Sequence, residues 1–360
     1  MNAFFETPVK RVAWLLNHST LRGFEVPLVR SLGLEVYTSK LLPQDDYLSC
    51  SSDYDDDFYS TLPESVLTCL NSHNFYEDSF TPQVAHYLNT YCDVVIAAAF
   101  PRLLTELVRH YKGRILIRVF GREAPYNYSD YFKTLDGGDL WSRLAEISHR
   151  FWLAASYVTI PEIEDSLLKT RSVILPVGIP KMYIPDKFFW QGTIKKVLFV
   201  CPKIASSAFY YGKIYEEFKA NLGDLPYLVA GHQPNRVNDP NVIGFASDDI
   251  YRTYFKDLAL MFYHSREPRH LHYHPLEAIA SGMPVIYMRG GLMERFGGQE
   301  QPGACNDYYE AREKIQRILD GDDEFIKVIQ ESQLEILKLF KWGYIRNEWQ
   351  KIFFGQILPP

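Results

Sequence analysis

Cysteine is scarce and poorly placed for crosslinking or metal capture. Cys50, Cys69, Cys92, Cys201 and Cys305 are odd in number and widely spaced, so none forms the close pair that a zinc knuckle or a dithiol site needs. Such a set suits a reducing compartment, and the expected location is cytoplasmic. Long apolar runs are also missing. Nothing approaches the roughly 18 unbroken apolar residues of a spanning helix, and Met1 to Lys10 carry acid and proline in place of a signal peptide's apolar stretch. Neither export nor membrane spanning is expected, although peripheral contact with the inner face of a membrane needs only an amphipathic helix face and stays open. An excess of positive charge is absent as well: 38 Lys and Arg stand against 44 Asp and Glu, for a net charge of −6. The chain therefore lacks the field that usually draws a protein to nucleic acid. No tandem repeat of about 20–50 residues is visible.

What is present is globular material in quantity. The 360 residues are 47% hydrophobic and 15% aromatic, too long for one ordinary core and rich enough to build two. Arg11 to Leu16 is a short apolar run, Asn17 to Gly23 a polar stretch read as a loop, Phe24 to Leu32 a segment of helical spacing, and Leu34 to Thr38 a second strand. Asp93 to Ala99 and Arg114 to Phe120 are continuous apolar strands of the kind buried in parallel sheets, with a helical Leu103 to Tyr111 between them. Phe151 to Ile160 and Ser172 to Leu175 extend that sheet, and the acidic Gln44 to Ser60 reads as a loop.

Pro176 to Gly192 breaks the pattern with prolines and glycines, after which alternation resumes at Val197 to Cys201, Tyr227 to Ala230, Leu258 to Tyr263 and Pro284 to Met288. The expected class is α/β, with two Rossmann-like doubly wound domains facing a cleft. Residues 1–185 are the first domain and 186–340 the second, with 341–360 a terminal helix that can return to the first.

The most informative stretch is Tyr273 to Glu294, YHPLEAIASGMPVIYMRGGLME. Pro275 suits a first helical position and Glu277 the first turn, where a carboxylate complements the helix dipole. Gly282 and Pro284 end that helix, a buried strand follows, and Arg289-Gly290-Gly291 makes a turn whose free amides could cradle a diphosphate.

In these residues the chain resembles the large superfamily of retaining GT-B glycosyltransferases that includes glycogen synthases and bacterial lipopolysaccharide and capsule glycosyltransferases. The resemblance covers most of the C-terminal half. It rests on Leu276-Glu277-Ala278, Gly282-Met283-Pro284-Val285 and Gly290-Gly291, preceded by Val242 to Phe245 and Asp257 to Phe262. It implies a glycosyltransferase that moves a sugar from a nucleotide-sugar to a glycan, lipid-linked glycan or other hydroxyl acceptor, in surface glycan biosynthesis.

Carried over residue by residue, the resemblance gives Glu277 the ribose hydroxyls and brings Gly290 and Gly291 to the diphosphate. Lys203 and Lys213 take the place of a basic pair that neutralises the leaving group, at a longer spacing than usual. His274 joins the donor site through His274-Pro275. Where relatives place a first glutamate, this chain has Arg269, with Glu267 two residues earlier. Either Glu267 substitutes, or Arg269 faces the transferred sugar and favours a donor bearing a carboxylate.

No cofactor and no metal are implied. His270, His272 and His274 alternate as metal ligands can, but no neighbouring cysteine or carboxylate completes a set, and imidazoles also serve a phosphate pocket. In the first half, His18, Arg122 and Glu123 follow strands and are candidates for acceptor binding. His18 or Glu123 would be the general base of an inverting reaction, and an Arg122–Glu123 ion pair is the plain alternative. A sugar-nucleotide epimerase and a silent sugar- or nucleotide-binding module are the competing readings.

Overall fold

In the computed structural model, residues 10–41, 43, 60–123, 125–180, 188–297 and 300–358 are described. The chain divides into two compact units, Met1–Gly178 with Trp342–Pro360, and Ile179–Lys341. The first holds strands β1 (Arg11–Leu15), β2 (Glu35–Thr38), β3 (Val94–Ala98), β4 (Arg114–Val119), β5 (Phe151–Ala155) and β6 (Ser172–Ile174). The second holds β7 (Ile194–Val200), β8 (Tyr227–Ala230), β9 (Val242–Gly244), β10 (Leu258–Tyr263), β11 (Val285–Met288) and β12 (Ala304–Cys305).

The first six strands form one sheet in the order β2-β1-β3-β4-β5-β6, and every pairing in it is parallel. Parallel sheets are covered on both faces, which is why Val94–Ala98 and Phe151–Ala155 are apolar along their whole length. The helices between strands carry ordinary stop and start signals. Thr81 accepts from the Val84 amide at 3.1 Å to open Pro82–Tyr91, and Pro101 opens Pro101–His110, which ends in Arg109 and His110.

Two local expectations are corrected. The helix after β1 begins at Ser19, well inside the expected loop, because His18 caps it by accepting the Leu21 amide on Nδ1 at 3.3 Å. The strand expected over Phe151 to Ile160 stops at Ala155, where Ser156 turns its amide and hydroxyl to the Val119 carbonyl and the chain bends. Of the expected loop Gln44 to Ser60, residues 44–59 lie outside the described residues.

A fully buried ion pair runs through this unit. Arg118 on β4 donates to Glu25 at 2.9 Å and to the Ala154 carbonyl at 3.1 Å, while the Trp14 indole donates to the other Glu25 oxygen at 3.0 Å. Both charged side chains are at 0% exposure. The terminal helix Trp342–Ile352 docks on the same unit: Trp342 meets Phe24 edge to face at 5.4 Å, Arg346 donates to the Ser31 carbonyl, and the Trp349 indole donates to the Pro176 carbonyl at 2.9 Å.

The second unit has the order β12-β11-β10-β7-β8-β9, again with every pairing parallel. Counted within the unit, this is the strand order of dinucleotide-binding Rossmann sheets. Its core stacks Phe199 on Phe218 with ring centres 4.1 Å apart, and Phe262, Ile286 and Ile315 are buried around them. No helix among the described residues is long and apolar enough to cross a membrane.

Candidate functional site

In open parallel sheets, ligands settle beyond the carboxyl ends of the strands at the point where the strand order reverses. In the second unit that point lies between β7 and β10, which are hydrogen-bonded neighbours. The chain leaving β7 passes Cys201 and Pro202 and reaches Lys203, whose φ is +54°. A side chain in that region costs roughly 1–2 kcal/mol, so something must hold it. Three contacts do. The Lys203 amide donates to the His232 carbonyl at 2.8 Å, the Ile204 amide donates to the Gln233 Oε1 at 2.9 Å, and Gln233 Nε2 returns a bond to the Cys201 carbonyl at 2.7 Å.

Gly231, at φ +118°, allows this approach, since a Cβ there would stand 2.8 Å from the Pro202 nitrogen. Lys203 is half-buried, and its ammonium makes no hydrogen bond or ion pair among the described residues. Lys213 is placed differently. It opens the helix Lys213–Leu222 after a single π turn, is exposed, and is joined to Lys203 by no bond.

The loop after β10 carries a cluster of imidazoles. The rings of His270 and His272 are 4.7 Å apart, those of His272 and His274 5.2 Å, and His264 meets Phe199 edge-on at 5.6 Å. The Tyr263 hydroxyl lies 3.1 Å from His272 Nδ1. Burial lowers the pKa of His264 to about 4 and that of His274 to about 3, the latter helped by the charges that His264 and His270 would bear. His272 is pushed well down by burial and by the same neighbours. His264, His272 and His274 are therefore neutral at physiological pH, able to donate and accept hydrogen bonds without carrying charge. Among the described residues, no group of three or more His, Cys, Asp or Glu is arranged to hold a metal ion.

Glu267 and Arg269 answer to each other. Glu267 Oε1 accepts from Arg269 Nε at 3.1 Å and from the Arg269 amide at 3.2 Å, and Arg269 is 8% exposed. The guanidinium's charge is thus compensated within its own loop.

The helix after this loop runs over Tyr273–Ser281, two residues earlier than expected. His272 is extended and serves as the N-cap residue, and Pro275 still lies in the first turn, where its missing N–H costs nothing. Glu277 is consequently the fifth helical residue, beyond the first turn, and is half-buried; burial raises the Tyr251 phenol, and the Glu277 carboxylate adds to the rise. Gly282, at φ +90°, closes the helix.

The turn at Gly290 and Gly291 adjoins the β10 loop. A Cβ on Gly291 would come within 2.8 Å of the Ser265 carbonyl oxygen, and Arg266 donates to the Arg289 carbonyl at 3.0 Å. The amides are not all free, which corrects the expectation. Gly290 donates to the Glu294 carboxylate at 2.9 Å and Leu292 to the Glu267 carbonyl at 3.2 Å. Arg289 reaches the other Glu294 oxygen at 3.3 Å. An internal carboxylate thus sits on the amide that was expected to meet a phosphate.

His18 uses Nδ1 as a cap acceptor, so its neutral ring carries the proton on Nε2 and must release the cap to act as a base at Nδ1. Glu123 and Arg122 form no ion pair among the described residues. Arg122 instead lies over the Tyr131 ring at 4.4 Å. Sequence reading missed His264, Gln233, Glu294 and Tyr131. Only Glu294 had a usable signal, as an acid in the first turn after the Gly-Gly pair.

A scan of protein-family models and a search of curated proteins each find no match for this sequence. Solved structures do match in fold. HepE of Anabaena, in complex with UDP and glucose, aligns over 95% of this chain and 98% of its own with a TM-score of 0.60 at 10% identity. The T4 phage β-glucosyltransferase, in a study of substrate binding and catalytic mechanism, aligns over 96% and 98% with 0.54 at 13% identity. TarM aligns over 75% of this chain with 0.51 at 12% identity, and there the match spans 57% of TarM's length. These are glycosyltransferases of GT-B architecture, and at such identities the likeness establishes the fold: two Rossmann-like α/β units.

Proposed function

We propose, from its GT-B fold, that this chain is a glycosyltransferase that takes a hexose from a nucleotide-sugar held by the second unit and passes it to a saccharide hydroxyl held by the first. The observation that carries the reading is Lys203, an uncompensated cation held in a left-handed conformation at the carboxyl end of β7, beside the strand-order reversal. Strain of this kind persists where surrounding contacts over-determine it, and it concentrates at sites of chemistry. A cation at that place would stabilise the charge that develops on the departing nucleoside diphosphate. Glu277 would accept from the ribose hydroxyls, the neutral imidazoles including His274 would hydrogen-bond the phosphates or sugar, and Gly291 would offer its amide.

The Arg269–Glu267 pair favours a neutral hexose over an acidic donor, because the arginine's charge is already met. Several of the compared structures hold UDP or UDP-glucose, so UDP-hexoses head the donor panel. One of them also holds Mn2+. The donor panel is therefore run both with Mn2+ and with EDTA. Should the reaction invert, Glu123 is the better base, since the His18 cap occupies its accepting nitrogen. Should it retain, the donor phosphate assists the attacking hydroxyl. The placing of the reaction in surface glycan assembly rests on the sequence resemblance alone.

The test is nucleotide release from UDP-, GDP-, ADP- and CMP-sugars, with and without oligosaccharide and lipid-linked acceptors. Release that rises with an acceptor is expected. Sugar interconversion without release would replace the reading with an epimerase, and binding without turnover would replace it with a silent module.

A further inference from the structure

Arg122 lies just beyond the carboxyl end of β4 in the first unit, after Gly121 at φ +94°. Its guanidinium carbon is 4.4 Å from the centre of the Tyr131 ring, 5.8 Å from Tyr126 and 6.0 Å from Tyr128. It makes no hydrogen bond and no ion pair among the described residues, and it is half-buried. Buried or half-buried arginines ordinarily find a carboxylate or carbonyl for their five donors. Here the face of the guanidinium is covered by tyrosine while its donor edges stay available.

The surroundings are rigid. Tyr128 and Tyr131 lie on the helix Tyr128–Thr134, whose first amides, those of Tyr128 and Ser129, donate to the Glu164 carboxylate at 2.9 and 2.7 Å. Glu164 is 6% exposed and also accepts from the Ser129 hydroxyl at 2.6 Å. The Tyr128 hydroxyl donates to the Gly121 carbonyl at 3.1 Å, and that of Tyr131 to the Ala99 carbonyl at 3.3 Å. Both rings are thus fixed at the hydroxyl end and along the helix. Tyr126, by contrast, is 61% exposed and presents an open ring beside the cation.

We propose that Arg122, seated on Tyr131 and flanked by Tyr126 and Tyr128, is a recognition site for a saccharide bearing a carboxylate, and so that the acceptor is an acidic glycan. A planar guanidinium with free edges matches a carboxylate in two parallel hydrogen bonds. An exposed tyrosine face next to it suits the apolar face of a sugar ring. The inference rests on the transferase reading for its biological meaning, but the binding event it names stands alone.

Binding of trigalacturonate, maltotriose and a short DNA duplex to the full chain is followed by calorimetry at low and high salt. Trigalacturonate should bind at least about tenfold more tightly than maltotriose, and the margin should shrink with salt. Arg122→Gln should remove most of that margin. Arg122→Lys, which keeps the charge and loses the planar fork, should lose a part of it. Tyr126→Ala changes only an exposed ring and should weaken trigalacturonate about threefold, with the melting temperature unchanged. Equal affinity for the acidic and neutral trisaccharides, an unaltered margin in Arg122→Gln, or Arg122-dependent binding of DNA in place of the saccharide would each overturn the proposal. UDP-glucose titrated into the wild-type protein reports separately on the transferase reading, so either idea can fail without the other.

Discussion

The two units share an architecture and treat charge in opposite ways. In the first, the buried charges are matched internally: Arg118 with Glu25, and Arg11 with Glu35 through bonds of 3.0 Å from both Nε and Nη2. In the second, the reversal point of the sheet gathers a strained lysine whose ammonium has no partner among the described residues and imidazoles that burial keeps neutral. Satisfied pairs hold a scaffold together, whereas an unsatisfied cation and uncharged donors leave interactions for a ligand to complete. On the proposed reading the second unit is therefore where bond-making chemistry has most to work with, and the first offers Arg122, which makes no hydrogen bond or ion pair among the described residues.

The largest effect that would test this contrast lies in the first unit. Arg118→Ala leaves Glu25 buried without its partner and should cost about 3–5 kcal/mol in denaturant unfolding, while replacing both members with apolar side chains should recover much of the loss. A loss of under about 1 kcal/mol for the single change would show that the pair is not what holds the scaffold.

Next comes Lys203. Lys203→Ala should lower the turnover of the preferred nucleotide-sugar roughly a hundred- to a thousandfold. Lys203→Gly should lose the same activity yet raise stability by about 1 kcal/mol, because glycine relieves the positive φ. Activity retained in both would place the strain outside the chemistry.

The units should also part company in acid. His264 and His274 titrate near 6.5 when unfolded and near 4 and 3 when folded. Between those values the unfolded chain binds more protons, so the second unit's stability is full above about pH 6.5 and falls as pH drops toward 4. Burial would raise the Glu35 carboxyl, but bonds from Arg11, Thr61 and Ser60 outweigh it and hold it at about 2. Its contribution to the first unit is full above about pH 4.5 and lost only as pH falls toward 2. Hydrogen exchange followed from pH 7 to 4 should show the second unit loosening first, and simultaneous loosening would erase the distinction.

The smallest expected effect concerns Glu294. If its carboxylate holds the Gly290 amide in place of a phosphate, Glu294→Gln should tighten UDP about twofold to fivefold, the worth of one charge at a helix start. Weaker binding would mean that Glu294 shapes the turn and does not compete for it.

Much of the fold could be read from local pattern. Tyr227 to Ala230 and Leu258 to Tyr263 are strands with the bounds that their apolar runs gave, since a parallel strand covered on both faces has to be apolar throughout. Gly282 closes its helix because a left-handed cap favours glycine. Helix starts were less legible: the helices after His18 and His272 open earlier than proline and apolar spacing indicated, because histidine at the N-cap position carries no strong local signature, whether its ring caps, as at His18, or not, as at His272.

The site followed the same division. Composition and periodicity, acting through nearest neighbours, determined two α/β units, their strands and the glycines of their turns. Tertiary structure alone decided that Lys203 is left-handed, that Glu267 meets Arg269, that Glu294 covers Gly290, and that Tyr131 supports Arg122. Each of these depends on where a loop or helix end comes to rest after the sheet has formed, and the local pattern along one strand or helix carries no record of that.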